Sequence, residues 1–210
     1  DPQRIPQIDY LITESTYGNR THAAVSSIKT RLKKIVTETF ESGGRVIIPA
    51  FSVGRTQNLV YYLAQLFNER EIPRVKIFVD SPLAINATEA YKNHPECYDA
   101  ETKDLIAKGG SPFGFELLTY TRKQEESKAL NSFKEPCVVI SASGMCEGGR
   151  VLHHLKHGIT KRRNTILIVG YQAENTLGRK ILEGEPKVRI YGKEFRLRCR
   201  VEKVNGCSAH

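Results

Sequence analysis

An α/β domain is what the sequence predicts: a mostly parallel sheet in three layers, with helices on both faces. Two observations lead there. Short runs rich in Val and Ile, without strict polar alternation, recur along the chain, as expected of strands covered on both sides. Most are followed by a Gly- or Ser-bearing turn and then by helically spaced apolar residues, the rhythm of βα units. The 210 residues are enough for one large domain or two small ones, with a core that needs neither disulfide nor structural metal.

The elements follow in order. Residues 8–12 (IDYLI) predict a first strand. A helix is predicted over 24–40, where Val25, Ile28, Leu32, Ile35 and Val36 share one side and Lys29, Lys33 and Lys34 fall largely off it, toward water. RVIIPA at 45–50 is the next strand. Over 55–70, Leu59, Tyr62, Leu63, Leu66 and Phe67 recur at three- and four-residue intervals, the stripe of a helix that buries one face. VKIFV at 75–79 is a strand, and 82–110 is helical in pattern but broken at Pro95, ending in the Gly109-Gly110-Ser111-Pro112 loop. FELLTY at 115–120, CVVISA at 137–142 and TILIVG at 165–170 complete the strands of the core. At 196–201, Arg196, Arg198 and Arg200 alternate with Leu197, Cys199 and Val201, the period of a half-buried strand with one basic face. That face is either solvated, protecting an edge by charge, or a contact surface for a polyanion.

Lys and Arg number 32 against 23 Asp and Glu, a net charge of +9, which fits a polyanionic partner or a merely basic surface. No apolar run approaches the roughly 20 residues that span a bilayer, so no membrane partner is expected. The five cysteines are odd in number and contain no C-x-x-C pair. Neither a disulfide framework nor a zinc knuckle fits, and a reducing, cytoplasmic location is expected. The opening residues show neither an initiator Met nor a secretory layout, and a piece of a longer chain is expected.

In an open α/β sheet, ligands bind beyond the carboxyl ends of the strands. Those ends are polar and glycine-rich here: Glu14-Ser15-Thr16-Tyr17-Gly18, then 51–57 (FSVGRTQ), Asp80-Ser81-Pro82, Ser141-Ala142-Ser143-Gly144, and 171–176 (YQAENT). Glycines and hydroxyls at strand-to-helix turns hold phosphate well, although each such loop alone is as readily a cap or a tight turn. G-x-x-x-x-G-K-[ST], a strand followed by G-x-G-x-x-G, and H-E-x-x-H are all absent. His153 and His157 sit one helical turn apart, but beside Lys156, Lys161, Arg162 and Arg163 they read as a basic helix end rather than a metal pair.

Together, ESTYG, PAFSVGRTQ, DSPLA, SASGMCEGGRVLHHLKH, GYQAENTLGRKIL and GCSAH resemble, in order and spacing, the β-CASP metallo-β-lactamase nucleases. The branch indicated is the bacterial RNA-processing exonuclease type, related to the endonuclease subunit of the cleavage and polyadenylation specificity factor. The resemblance implies a β-CASP domain over 18–190, inserted in a metallo-β-lactamase domain to which 1–17 and 191–210 belong as terminal strands. It implies two zinc ions in the parent enzyme, RNA as substrate, and hydrolysis of phosphodiester bonds. Glu14 matches the acidic motif whose carboxylate orients an active-site histidine; His210 matches the histidine that faces the scissile phosphate and helps protonate the leaving oxygen. Arg55, Thr56, Ser143, Gly144 and Thr176 are the expected lining of the RNA path, although Arg55 could instead pair with Asp80.

Cys207 stands where the family usually has Phe, and Asn175 where Gly is usual. The family's zinc ligands have no counterpart in this chain, so no metal-ligating residue is assigned. The expected partners are single-stranded RNA, a metallo-β-lactamase domain of the same chain and a second copy forming a homodimer. The chain alone is expected to clamp RNA without cutting it. A stand-alone nucleic-acid-binding module and an enzyme for small phosphate esters remain the alternatives.

Overall fold

The computed structural model describes residues 6–13, 15, 18 and 25–204. In chain order the elements are α1 (Val25–Glu41), β1 (Arg45–Pro49), α2 (Arg55–Asn68), β2 (Lys76–Asp80), α3 (Pro82–Asn93), α4 (Ala100–Ala107), β3 (Leu118–Tyr120), α5 (Gln124–Ser132), β4 (Cys137–Ser141), α6 (Val151–Gly158), β5 (Thr165–Ile168), α7 (Leu177–Leu182), β6 (Lys187–Ile190), β7 (Lys193–Arg196) and β8 (Arg200–Lys203). A 3-10 turn, Pro95–Cys97, separates α3 from α4 where Pro95 breaks the helical pattern. The main sheet has the order β3-β2-β4-β1-β5-β8, and every neighbouring pair in it is parallel.

Strand alternation divides the core into two faces. Val46, Ile48, Ile77, Val79, Val138, Ile140 and Leu167 point to the layer containing α1 and α2, where Ile28, Leu32, Ile35, Leu59, Leu63 and Leu66 meet them. Ile47, Ile166 and Ile168 point to the opposite layer, against Val151 and Leu155 of α6 and Ile181 of α7. Phe78 and Val139 extend that second face under Leu130 of α5. Each such side chain, fully withdrawn from water, contributes about 1.5–3 kcal/mol, which outweighs anything the surface ion pairs offer. Lys29 and Lys33 pair with Glu69 and Glu71 beyond the end of α2, at 3.4 and 3.3 Å, rather than simply facing water.

Two sequence expectations need correction. Residues 8–12 form no strand: Leu11 and Ile12 are 62% and 99% exposed, and none of the strands of the sheet offers the segment a ladder. The alternating stretch at 196–201 is not one strand either. It runs from the end of β7, paired antiparallel with β6, to the start of β8, paired parallel with β5. Between them the Leu197 N–H donates to the Pro186 carbonyl, and those of Arg198 and Cys199 to the Ile159 carbonyl, so loop acceptors replace the ladder. The alternation still decides burial, with Cys199 inside and Arg196, Arg198 and Arg200 out. Arg200 is nonetheless occupied, held by Glu38 and Glu202. The β6–β7 turn places both Tyr191 and Gly192 at positive φ, 51° and 72°, as a two-residue hairpin turn of right-handed twist requires.

Candidate nucleic-acid interface

The strand order creates a crevice between its two central strands. From β1 the chain leaves through α2, on one face, toward β2; from β4 it leaves through α6, on the other face, toward β5. β1 and β4 are neighbours, in register from Arg45↔Cys137 to Pro49↔Ser141. Their connections therefore part in opposite directions, and the gap beyond their carboxyl ends is the topological switch point at which open α/β sheets bind ligands. Residues 50–54 and 142–150 flank it.

On the β1 side, Gly54 has φ 72° and gives α2 no side-chain cap, a conformation any larger residue would strain to adopt. Arg55 opens the helix. It is buried to 3% exposure, yet its Nε and Nη1 have no hydrogen-bond partner among the described residues. The suggested bridge to Asp80 is not formed, because that carboxylate is occupied by Arg150 and His154. Thr56 is also buried and its hydroxyl donates to the Phe51 carbonyl at 2.8 Å, closing the loop. Gln57 donates to the Ser52 and Ala84 carbonyls and to Thr88, tying the loop to α3.

On the β4 side, the Ser143 hydroxyl oxygen is enclosed and has no partner among the described residues, while the backbone N–H of Ser143 donates to the Gly148 carbonyl at 3.1 Å. Gly144 lies directly under Phe51: a Cβ at Gly144 would stand 2.8 Å from the ring's Cδ2. The Gly144 carbonyl accepts from Gln172 Nε2 at 3.0 Å, linking this loop to the one after β5. There Thr176 caps α7, accepting from the Arg179 N–H at 3.2 Å and donating to the Ala173 carbonyl at 2.7 Å. Asn175, where glycine is usual, adopts φ 65°. Asn is among the side chains that best tolerate that left-handed conformation, so the turn is kept.

A buried polar cluster holds the crevice from below. Asp80, at the end of β2, is fully buried. Its Oδ1 accepts from Thr121 Oγ1 at 2.7 Å and Arg150 Nη1 at 2.8 Å; its Oδ2 accepts from Ser127 Oγ at 2.6 Å and faces His154 Nε2 at 2.6 Å. Burial by itself would raise the carboxyl's pKa, but the hydrogen bonds from His154, Ser127 and Thr121 outweigh it and hold it at about 2. Arg150 also donates to the Thr121 and Arg122 carbonyls. Four side chains thus converge on one carboxylate, and the 142–150 loop is anchored at its far end by Arg150.

Sequence reasoning missed this cluster. It singled out His153 and His157, whereas the histidine that matters to packing is His154, whose Nδ1 is enclosed without a partner. The signal was present: Val151, His154, Leu155 and Gly158 are spaced as the buried face of α6. His153 shares a hydrogen bond with the Tyr191 hydroxyl at 3.1 Å. Burial and the neighbouring Lys156 and Lys161 push the His157 pKa down, consistent with a basic helix end.

Glu14 and His210, and with them Cys207, lie outside the described residues. The two zinc ions implied by the resemblance find no ligand set within the described part. Among those residues no three of His, Cys, Asp or Glu come together to hold a metal, and Asp80 and His154 are already committed to each other. Among the described residues no helix is long and apolar enough to cross a membrane.

Comparison with known proteins adds the lineage. A family model described as the Beta-Casp domain matches residues 56–181. The chain is 38% identical over 213 residues to "Ribonuclease TTHA0252" of Thermus thermophilus, a match covering 100% of this chain and 48% of that protein. It is 35% identical over 208 residues to "RNase J-like protein" of Methanocaldococcus jannaschii, covering 98% and 47%. It is 33% identical over 215 residues to "Transcription termination factor FttA" of Methanosarcina mazei, covering 99% and 34%. The chain therefore spans about half the length of the first two relatives and about a third of the last. With a parallel α/β sheet and a family match over more than half of its residues, the chain belongs to the Beta-Casp domain family.

Proposed function

We propose that this chain is the RNA-clamping part of a cytoplasmic ribonuclease that hydrolyses phosphodiester bonds, with the strand laid across the β1–β4 crevice. The observation that carries this reading is Arg55. A guanidinium buried to 3% exposure with two nitrogens unpartnered among the described residues is costly, and it is kept at a place in the sheet where an anionic ligand is expected. Ser143 adds an uncommitted hydroxyl across the gap. Thr56 and Thr176 shape the path by holding its loops, since their hydroxyls are spent locally. The net charge of +9 draws a polyanion toward this surface. That the substrate is RNA is supported by the names of the relatives, two of which denote ribonucleases.

In this reading, Glu14 orients the active-site histidine, His210 protonates the leaving oxygen, and a metallo-β-lactamase domain of the same protein supplies the zinc ligands. The described residues contribute binding and orientation of the strand, and the 210 residues alone bind RNA without cutting it. In the intact protein, Glu14→Gln and His210→Ala are expected to lose RNA cleavage, read on a gel, while binding RNA as before. Cleavage at the original rate in both would overturn their assignment.

Arg55→Met tests the clamp. Removing an uncompensated buried guanidinium should raise the unfolding free energy by about 1–3 kcal/mol. The same variant should bind single-stranded RNA roughly 10- to 100-fold more weakly, with a log–log salt slope shallower by about 0.7, one phosphate contact. Unchanged affinity and slope would sink the reading.

A further inference from the structure

Phe51 is the feature of the crevice that phosphate recognition leaves unexplained. It is 40% exposed, in a loop whose other work is polar. The ring nevertheless has a fixed seat: it lies against the Gly144 backbone, where a Cβ would stand 2.8 and 2.9 Å from Cδ2 and Cε2, and Cε2 is 3.9 Å from where a Gly170 Cβ would be. Gly144, on the loop after β4, thus forms a floor that a residue with a side chain could not provide, and Gly170, on the loop after β5, borders the ring. Tyr171, next to Gly170, is a second exposed ring on the same carboxyl edge. Four residues beyond Phe51 is Arg55, with its unpartnered nitrogens.

We infer that Phe51 is a stacking platform for one nucleobase of a single-stranded RNA whose backbone phosphate is held at Arg55. This rests on the RNA-clamp reading and deepens it by assigning a base contact. A nucleotide carries a flat apolar ring and an anion within a few ångströms of each other, and the β1–α2 loop offers the complement of both. The seated ring has little freedom left to lose on binding, so the stacking energy is retained. Base–aromatic stacking accepts any base, so the contact provides grip along the strand without sequence preference. An exposed phenyl ring could equally cover a protein surface. Charge argues for the nucleotide, because the ring shares the β1–α2 connection with a buried cation four residues on, in a chain of net charge +9.

The test uses the intact protein and two labelled, nuclease-resistant eight-unit probes of equal charge, a ribo-oligonucleotide and an abasic ribose-phosphate chain, with binding read by fluorescence anisotropy. The unaltered protein is expected to prefer the base-bearing probe about tenfold. Phe51→Leu, which keeps an apolar side chain over Gly144, should abolish that preference without changing affinity for the abasic chain, and Phe51→Trp should retain it. A preference untouched by Phe51→Leu overturns the proposal, as does an equal loss for both probes, which would make Phe51 a structural prop of the loop. Equal binding of the two probes by the unaltered protein overturns stacking while leaving the clamp intact. If neither probe binds, the clamp itself falls. A change of oligomeric state in Phe51→Leu with RNA binding unaltered assigns the ring to a protein contact instead and overturns the proposal.

Discussion

Asp80→Asn is expected to destabilise the domain by about 3–5 kcal/mol, because it removes the buried carboxylate that the half-buried Arg150 and the buried His154 meet. Asn cannot accept through both side-chain atoms, so at least one of Thr121, Ser127, Arg150 and His154 loses its acceptor, and for the buried Thr121, Ser127 and His154 no water replaces it. Thermal and urea unfolding of the intact protein and the variant measure the loss; a variant within 1 kcal/mol of the original would show that the cluster is dispensable. The pH dependence follows with a definite sign. The Asp80 pKa in the folded protein, about 2, lies below its ordinary value of 3.8. Its contribution is therefore complete above about pH 4 and is lost as the pH falls through 2. Acid unfolding of the original protein should steepen across that window, and Asp80→Asn should remove that component of the slope. RNA affinity should fall with stability, since Arg150 anchors the loop that presents Ser143 and Gly144.

Gly149→Ala is the second large effect expected. Gly149 has φ 77°, and a Cβ there would lie 2.4 Å from the Ala142 carbonyl oxygen and 2.9 Å from its carbon. The obstacle is backbone and cannot swing away. It is also tied, because the Ala142 carbonyl accepts the Val151 N–H that starts α6, at 3.0 Å. Left-handed strain together with overpacking should cost about 2–5 kcal/mol. The displaced 142–150 loop should weaken RNA binding more than the same destabilisation introduced far from the crevice, for example by Leu32→Ala in α1. Equal RNA affinity in Gly149→Ala and the original protein would mean that the loop after β4 lies off the RNA path.

The strands 45–49, 76–80, 137–141 and 165–168 were legible as unbroken Val and Ile runs because both faces of each are covered, leaving no polar alternation to confuse the pattern. The stripe of α2 was legible because Leu59, Leu63 and Leu66 recur at helical spacing and are all buried. Residues 8–12 misled, since an apolar run is a necessary condition for a strand and not a sufficient one; a ladder partner is the other half. The split of 196–201 was invisible for the same reason, because the Pro186 and Ile159 carbonyls that interrupt it come from elsewhere in the chain. In the candidate site, the glycine and hydroxyl loops were visible as motifs, but which of their groups remain uncommitted was not. Thr56 and Thr176 turned out to be spent on local carbonyls, and Arg55 to keep Nε and Nη1 without a partner among the described residues.

The sequence by itself determined the layered α/β architecture, the excess of positive charge and the family, because periodicity, composition and ordered motifs are properties of neighbouring residues. Only the tertiary structure decided that β1 and β4 lie side by side with their connections diverging, that Asp80 gathers Thr121, Ser127, Arg150 and His154 from three distant stretches of the chain, and that Phe51 rests on Gly144, far along the chain. Those relations arise from strand order and close packing, which bring together residues that no local pattern connects.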